Sequence, residues 1–322
     1  MDRRIFIKTG VFGAGAFFGL SPLSVQGIFA DELPRRLYKP FKMKFSPRLG
    51  MAPFSSMGGS EPLKKIRFLY EQGFTAFEGA AEYKKTPVEL QKAIGALSKE
   101  LKMDVGSISA LNEKSCASMT ANFVPGRKDY ADATALNDYL AEQLELVFAC
   151  LRNINAKTFI IGPGLEDKNL SWQKQYENSV GHLKFCAKIC ERAGMTMHIE
   201  PLNLKSHPGQ FCNNAALGAK LVRDVGSPNC RMLFDIFHEQ MQAGNLDSLD
   251  AVWNEIGAFH VADAPQRLEP GTGIIDYRKV FKKIWDKGYR GFIGLEHGVS
   301  KRDAATDAKM LAVYRSFDAE AV

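Results

Sequence analysis

The sequence predicts an α/β protein, a (β/α)8 TIM barrel, from three observations. Short apolar runs alternate with amphipathic segments eight times between residues 43 and 322, which is typical of parallel strands with covering helices. This stretch is slightly longer than the roughly 250 residues that such a barrel needs. Four of the later apolar runs also end in a side chain that can bind a metal. We therefore expect one domain with a site at one end of the barrel.

The predicted strands follow one another at intervals of about one βα unit. They cover residues 43–51, 74–78, 103–110, 158–161, 195–200, 231–235, 258–261 and 291–296. Turn residues bound these runs, as at Gly73 before the second strand. The predicted helices between and after them cover residues 63–72, 86–101, 131–153, 172–193, 214–225, 246–256, 277–287 and 304–317. The long connection 111–128 predicts a loop that folds over part of the barrel.

The first residues resemble a twin-arginine export signal. Arg3 and Arg4 precede a Gly-rich, weakly apolar segment, and Phe6 and Lys8 fit the wider pattern. The glycines and Pro22 make a permanent membrane span unfavourable. This pattern predicts a signal peptide at residues 1–30, a lead-in at 31–42, a single catalytic barrel domain at 43–322, and export to the periplasm.

Composition and charge exclude several classes of protein. Apolar residues make up 45% and charged residues 24% of the chain, as in ordinary globular proteins. Removing residues 1–30 takes away three basic residues and one acidic residue, so the net charge falls from +6 to +4. This charge is too small and too dispersed to indicate nucleic-acid binding. Cys186 and Cys190 lie four residues apart on a predicted helix, too far for an unstrained disulfide, and we expect free thiols.

Four predicted strand ends carry potential metal ligands, namely Glu200, Asp235, His260 and Glu296. Because the carboxyl ends of barrel strands meet at one mouth, we expect these side chains to converge. Three carboxylates in one cavity would repel each other, and a divalent cation would remove that repulsion. Such an oxygen and nitrogen set suits Mn²⁺, Mg²⁺ or Co²⁺. The alternative is that one or two of these residues are buried hydrogen-bonding groups.

The segments around these residues resemble the xylose-isomerase-like TIM-barrel superfamily, and within it hydroxypyruvate isomerases and ketose 3-epimerases. The resemblance covers most of residues 43–318. The stretch 265–277 is also similar to a pattern of hydroxypyruvate isomerases, whereas His260 is more similar to the epimerases. The matching segments are Ile199-Glu200-Pro201-Leu202-Asn203, Phe234-Asp235-Ile236-Phe237-His238, Phe259-His260-Val261-Ala262-Asp263 and Gly294-Leu295-Glu296.

This resemblance implies an isomerase or epimerase that moves a proton beside a carbonyl, through an enediolate, with one divalent metal ion. Glu200 and Glu296 would hold the metal and act as acid and base on opposite faces of the substrate. His238 would hydrogen-bond a substrate oxygen, and Arg267 would bind a hydroxyl or a carboxylate. An exported enzyme would act on an unphosphorylated sugar or keto-sugar.

Two further residues are candidates for substrate binding. His207 follows the fifth strand and is expected above the same mouth, with an ordinary loop histidine as the alternative. Glu78 ends the second strand, where it could contact substrate or form a salt bridge with a nearby residue such as Arg67, Lys84 or Lys85. We expect His198 to be a packed strand residue, with a side chain that points into the barrel beside Glu200 as the alternative.

Three other functions stay open at this point. A lyase acting on 3-keto-glycosides would use the same metal and glutamate base, and a periplasmic sugar-binding protein would keep the pocket without catalysis. An endonuclease-IV-like enzyme is disfavoured, because that site needs histidines from early strands and this chain has none before His182. The oligomeric state, including a homo-oligomer, is also left open.

Overall fold

Parallel strands form the centre of the unit that extends from Arg35 to Val322. The computed structural model describes residues 34–51, 53–57, 59, 61–111, 119–122 and 132–322. The predicted signal and part of the long connection 111–128 lie outside the described residues. The strands are β1 (Phe45–Pro47), β2 (Ala76–Phe77), β3 (Asp104–Val105), β4 (Ile108–Leu111), β5 (Thr158–Ile161), β6 (Thr196–Ile199), β7 (Cys230–Asp235), β8 (Ile256–Val261) and β9 (Ile293–Leu295).

The strand pairings confirm the predicted TIM barrel. The larger sheet has the order β1-β9-β8-β7-β6-β5-β4, and β2 pairs with β3. The parallel pairing of β1 with β9 brings the first and last strands side by side. A parallel bridge between Arg48 and Glu78 continues β1 onto β2. The predicted strand 103–110 is divided into β3 and β4 at Gly106 and Ser107, so one barrel strand appears as two short ones.

Helices follow the strands, and six of the nine described helices begin at a side chain that caps the first turn. The Ser171 side chain accepts from the backbone N–H of Lys174, and that of Asn214 accepts from Leu217. Such caps satisfy backbone donors that the helix leaves unpaired. The helices are α1 (Pro62–Glu71), α2 (Val88–Glu100), α3 (Ala133–Ile154), α4 (Trp172–Ala193), α5 (Ala215–Val225), α6 (Ile236–Ala243), α7 (Ser248–Ala251), α8 (Tyr277–Asp286) and α9 (Ala304–Ala321).

One predicted helix, at residues 246–256, is wrong. The chain instead enters α6 directly after β7, because the Asp235 side chain accepts from the backbone N–H of His238 and caps the helix. Residues 246–256 hold only α7 and the 3-10 turn Trp253–Glu255 before β8 begins. As a result, His238 lies within the first turn of a helix that starts at the barrel mouth.

The core lies inside the barrel and between the strands and helices. Its largest side chains include Phe45, Phe281 and Tyr314, which meet edge to face across β1, α8 and α9. Four described cysteines, Cys150, Cys190, Cys212 and Cys230, are buried free thiols, as predicted. Among the described helices, none combines the length and the apolar character that a membrane-spanning helix needs.

Candidate active site

The four predicted metal ligands lie together at the carboxyl ends of the strands. One ligand atom from each of Glu200, Asp235, His260 and Glu296 lies within 4.8 Å of the other three. Strand register creates this cluster, because Asp235 is the partner of His260 across β7 and β8. Glu200 and Glu296 directly follow β6 and β9. The sequence-based expectation that these side chains converge is therefore confirmed.

His260 lies at the centre of the cluster. Its Nδ1 is 2.8 Å from Oε2 of Glu296, 3.4 Å from Oε1 of Glu200 and 4.0 Å from Oδ2 of Asp235. Its Nε2 lies on the other side of the ring, 3.0 Å from Oε1 of Glu78. Thus four carboxylates surround one imidazole whose side chain is only 1% exposed.

The electrostatics of this cluster follow from its burial and its charges. Burial opposes the imidazolium form of His260, but Glu78, Glu296 and Glu200 outweigh it and raise its pKa well above the usual value. Burial also opposes the charged form of Glu296, but His260, Arg48 and Arg267 lower its pKa well below the usual value. The cavity therefore stabilises positive charge strongly and keeps Glu296 ionised at neutral pH.

The residues present fit a divalent cation. Oε1 of Glu200 and Nδ1 of His260 are buried, and neither has a hydrogen-bond partner within the described ranges. Buried polar atoms are nearly always satisfied, so these two need a partner at the centre of the cluster. Opposite ligands of one ion lie roughly 4–5 Å apart, which matches the observed spread of ligand atoms.

The formal charges of the site also match a divalent cation. Four carboxylates and two guanidinium groups give a net formal charge of −2 with neutral imidazoles, and a divalent cation brings the sum to zero. Buried charge of one sign is costly unless it is compensated. The groups counted are Glu78, Glu200, Asp235, Glu296, Arg48 and Arg267.

Arg48 and Glu78 form a second layer behind the cluster. Nη1 of Arg48 donates to Oε1 of Glu78 at 3.1 Å, Nη2 donates to Oγ of Ser109 at 2.5 Å, and Nε lies 3.4 Å from Oε1 of Glu296. The ion pair of Glu78 is thus with Arg48 and not with a lysine of the following loop. Sequence analysis missed Arg48, although it directly follows β1, the position that identified the metal ligands on later strands.

His238 presents one ring nitrogen to the cavity. Its Nδ1 accepts from the backbone N–H of Asn203 at 3.3 Å, and the Asn203 amide lies 2.6 Å from the same nitrogen. In the neutral ring the proton is therefore on Nε2, which is buried and has no hydrogen-bond partner in the described part of the chain. The His207 ring packs edge to face on His238 at 5.2 Å, so it lies above the mouth as predicted.

Arg267 reaches the cluster from the loop after β8. Its Nη2 donates to Oε2 of Glu296 at 3.0 Å, and its guanidinium lies 5.2 Å from the ring centre of Phe237. Asp263 shapes this loop by accepting from the backbone N–H groups of Gly271 and Gly273. Arg267 is thus hydrogen-bonded to a candidate metal ligand, while the Asp263 side chain organises the backbone of the loop.

His198 and His297 lie outside the cluster. His198 is buried inside the barrel, with Nδ1 3.1 Å from Oγ of Ser107, which agrees with the expected packing role. His297 lies between the carbonyl of Gly298 and the hydroxyl of Tyr314. Burial lowers the pKa of His297 to about 4, and burial, with His260 and Arg231, lowers that of His198 to about 3.

A barrel with an acidic, histidine-containing cluster at its mouth defines a class of α/β proteins that can hold a metal. The model of the xylose isomerase-like TIM barrel family matches residues 66–314, and the chain belongs to this family. Its curated relatives include the hydroxypyruvate isomerase of Escherichia coli, 33% identical over 42% of this chain and 52% of that protein. A putative hydroxypyruvate isomerase of Danio rerio is 27% identical over 76% of this chain and 86% of that protein.

Solved structures support the fold at lower identity. A 3-keto-D-glucoside 4-epimerase from E. coli has a TM-score of 0.67 and 20% identity, covering 85% of this chain and 100% of that one. A family 2 AP endonuclease from Brucella melitensis has a TM-score of 0.68 and 21% identity, and the match covers 85% of this chain and 98% of that one. At such identities the likeness concerns the fold alone. The chain also spans only about half the length of the first curated relatives it matches.

Proposed function

We propose that this protein is a divalent-metal-dependent isomerase or epimerase that moves a proton on a carbon beside the carbonyl of an unphosphorylated sugar or keto-sugar. The cluster of Glu200, Asp235, His260 and Glu296 carries this proposal, because its four ligand atoms lie within 4.8 Å of one another. Mn²⁺, Mg²⁺ and Co²⁺ are the cations that suit this donor set. The curated relatives, named as isomerases, support the same reaction class.

The cation would polarise the substrate carbonyl and stabilise the negative charge of the enediolate. The protein must supply the base and the acid. Glu296 is ionised at neutral pH because His260, Arg48 and Arg267 lower its pKa, so it can accept a proton. Glu200 has no ion pair with Arg or Lys among the described residues and keeps one buried oxygen without a hydrogen-bond partner. Two carboxylates at one cavity allow removal on one side and return on the other.

Two donors are placed to hold the substrate. Nε2–H of His238 and Nε–H of Arg267 are buried and have no hydrogen-bond partner among the described residues. A sugar hydroxyl or carbonyl oxygen would satisfy both groups and fix the reacting carbon between the two glutamates. On the side of the early strands, next to Arg48, lies a cavity of about 500 Å³, a size that small ligands occupy; Gly79, Tyr83 and Ser109 help to line it, whereas none of the four candidate metal ligands does. His207 remains a proposed contact of the substrate, whereas the predicted substrate contact of Glu78 is replaced by contacts with His260 and Arg48.

The proposed setting is the periplasm, reached through the twin-arginine pathway. Its support is the N-terminal pattern at Arg3 and Arg4. An enzyme in that setting would act on unphosphorylated substrates. Fractionation of cells that produce the full chain, compared with an Arg3→Lys, Arg4→Lys double variant, tests this placement; equal periplasmic amounts would contradict it.

Deuterium exchange tests the reaction. Protein loaded with Mn²⁺ is incubated in D₂O with a panel of free ketoses, 2-oxo acids and 3-keto-glycosides, and label beside the carbonyl is measured. We expect label with at least one substrate, and its loss after chelation. Absence of label from every substrate, in protein shown to bind Mn²⁺, would contradict the proposal.

Products and binding separate the alternatives. Label together with a new ketose or epimer indicates isomerisation or epimerisation, whereas release of the aglycone from a 3-keto-glycoside indicates a lyase. Binding of a sugar without label, unchanged in Glu296→Gln, indicates a sugar-binding protein. All three functions would use the same cavity. They differ in whether a proton is removed from the substrate and in whether it is then returned to carbon.

A further inference from the structure

One carboxylate lies behind His260, on the side of the ring away from the other three. Nε2 of His260 is 3.0 Å from Oε1 of Glu78, and the two side chains are 1% and 2% exposed. Nδ1 faces Glu296 at 2.8 Å and Glu200 at 3.4 Å. The two ring nitrogens of His260 therefore face opposite directions. Nδ1 faces the other candidate metal ligands, and Nε2 faces Glu78.

We propose that Glu78 is a positioning residue, which holds the Nε2–H of His260 and thereby leaves Nδ1 unprotonated and directed at the cation. The inference rests on the proposed metal site. Metal-binding histidines almost always donate their other ring N–H to a carboxylate or carbonyl, which fixes the tautomer and the ring orientation. Here Nε2 lies within hydrogen-bonding distance of Oε1 of Glu78, although the two groups are not aligned for a hydrogen bond in this structure.

Arg48 fixes Glu78 from the other side. Its Nη1 donates to Oε1 of Glu78, the same oxygen that faces His260. Its Nη2 is held in turn by Oγ of Ser109. The carboxylate thus lies between a guanidinium and an imidazole, and its position is determined by residues of β1 and β4. A carboxylate held in this way has little freedom to turn away from His260.

Two glycines lie against the Glu78–His260 pair, and the absence of a side chain at each leaves space for the pair. A Cβ at Gly294 would lie 2.5 Å from Cδ2 of His260 and 2.7 Å from Oε1 of Glu78. A Cβ at Gly106 would lie 3.1 Å from Cβ of Glu78. Gly294 is also the strand partner of His260 across β8 and β9. Any larger residue at Gly294 would force the pair apart, so the close approach depends on this glycine.

The test compares the Mn²⁺ affinity of the wild-type protein with that of Glu78→Gln and Glu78→Ala, by competition with a fluorescent chelator. We expect about 10–100-fold weaker binding, with the smaller loss in Glu78→Gln, because glutamine keeps an acceptor oxygen. The matched control is Asp318→Asn. Asp318 is a buried carboxylate that accepts from the backbone N–H of Met43 ahead of β1. Its variant should keep wild-type affinity.

A second measurement reports the tautomer itself. In ¹⁵N spectra recorded at a Mg²⁺ concentration that saturates the wild type, we expect His260 with its proton on Nε2 and its Nδ1 bound to the cation in the wild type, and a fraction of His260 with an unbound Nδ1 in Glu78→Ala. Should Glu78→Ala not fold, Glu78→Gln decides the affinity test. Equal Mn²⁺ affinity in wild type and folded variants, with an unchanged ¹⁵N spectrum of His260, overturns the role of Glu78. Failure of the wild type to bind Mn²⁺ overturns the proposed metal site instead.

Discussion

The early strands β1 to β4 and the late strands β6 to β9 contribute different chemistry to one mouth. The late strands carry all four candidate ligands and, with their loops, His238 and Arg267. The early strands carry Arg48 and Glu78, which contact those ligands from behind. All six histidines of the chain lie at or after His182. In the proposed site, one half thus presents the reactive groups, and the other contacts them from behind.

This difference shows that the candidate metal ligands depend on other residues that contact them. Arg48 lies 3.4 Å from Glu296, and Glu78 lies 3.0 Å from His260, so each early residue contacts a different ligand of the cluster. Surrounding groups of this kind orient metal ligands and adjust their basicity. If the comparison is right, changes in the late strands abolish the chemistry, whereas changes in the early strands alter its strength.

The largest effect is expected from the two glutamates of the late strands. Glu200→Gln and Glu296→Gln should each lower proton exchange by about 10²–10⁴-fold, because amides cannot act as base or acid. Circular dichroism should show an unchanged fold. Glu100→Gln, at the exposed end of α2, is the control and should keep full exchange. Exchange at wild-type rates in both late-strand variants would remove them from the mechanism.

Arg48→Gln tests the role of the early strands. Removing one partner of a buried ion pair costs about 3–5 kcal/mol, so the free energy of unfolding without metal should fall by that order. Because the variant lowers the positive charge of the cavity, added Mn²⁺ should restore part of the lost stability. Urea unfolding with and without Mn²⁺ measures both effects. If Mn²⁺ stabilises the variant less than the wild type, the charge argument is wrong.

Gly294→Ala tests the contact between the two halves. Its methyl group would meet His260 and Glu78 at under 3 Å, so we expect weaker Mn²⁺ binding and about 1–3 kcal/mol lower stability. Gly181→Ala, where a Cβ meets no atom within 4 Å, is the matched control in α4. That change should be neutral or slightly stabilising. Equal behaviour of the two variants would indicate that the barrel tolerates a wider spacing at His260.

The smallest effect concerns two buried histidines outside the cluster of candidate ligands. Burial lowers the pKa of His182 and of His297 to about 4 in the folded protein, below the usual 6.5. The unfolded chain therefore binds more protons between pH 6.5 and 4, and stability should fall as the pH drops through this window. We expect a loss on the order of 1–2 kcal/mol per histidine at pH 5. Urea unfolding of His297→Gln at pH 7 and 5 should show a shallower decline than wild type.

The sequence predicted the fold and the four candidate ligands, but not every helix or the contacts behind the ligands. Strand β5 and helix α4 begin and end at the predicted residues, and the four ligands are marked by their place at strand ends. The helix after β7 was misplaced, because the cap made by Asp235 starts it ten residues earlier. Arg48 and the Glu78–His260 contact were missed because they join residues distant in sequence, which neither periodicity nor motif spacing reveals.

A crystal structure of the protein soaked with Mn²⁺ tests the central claim most directly, because anomalous scattering locates the ion. We predict one strong peak bound by Glu200, Asp235, His260 through Nδ1, and Glu296, at about 2.0–2.4 Å. A fully occupied ion elsewhere, or no peak at the cluster in crystals soaked at millimolar Mn²⁺, would contradict the claim that these four residues form a metal centre.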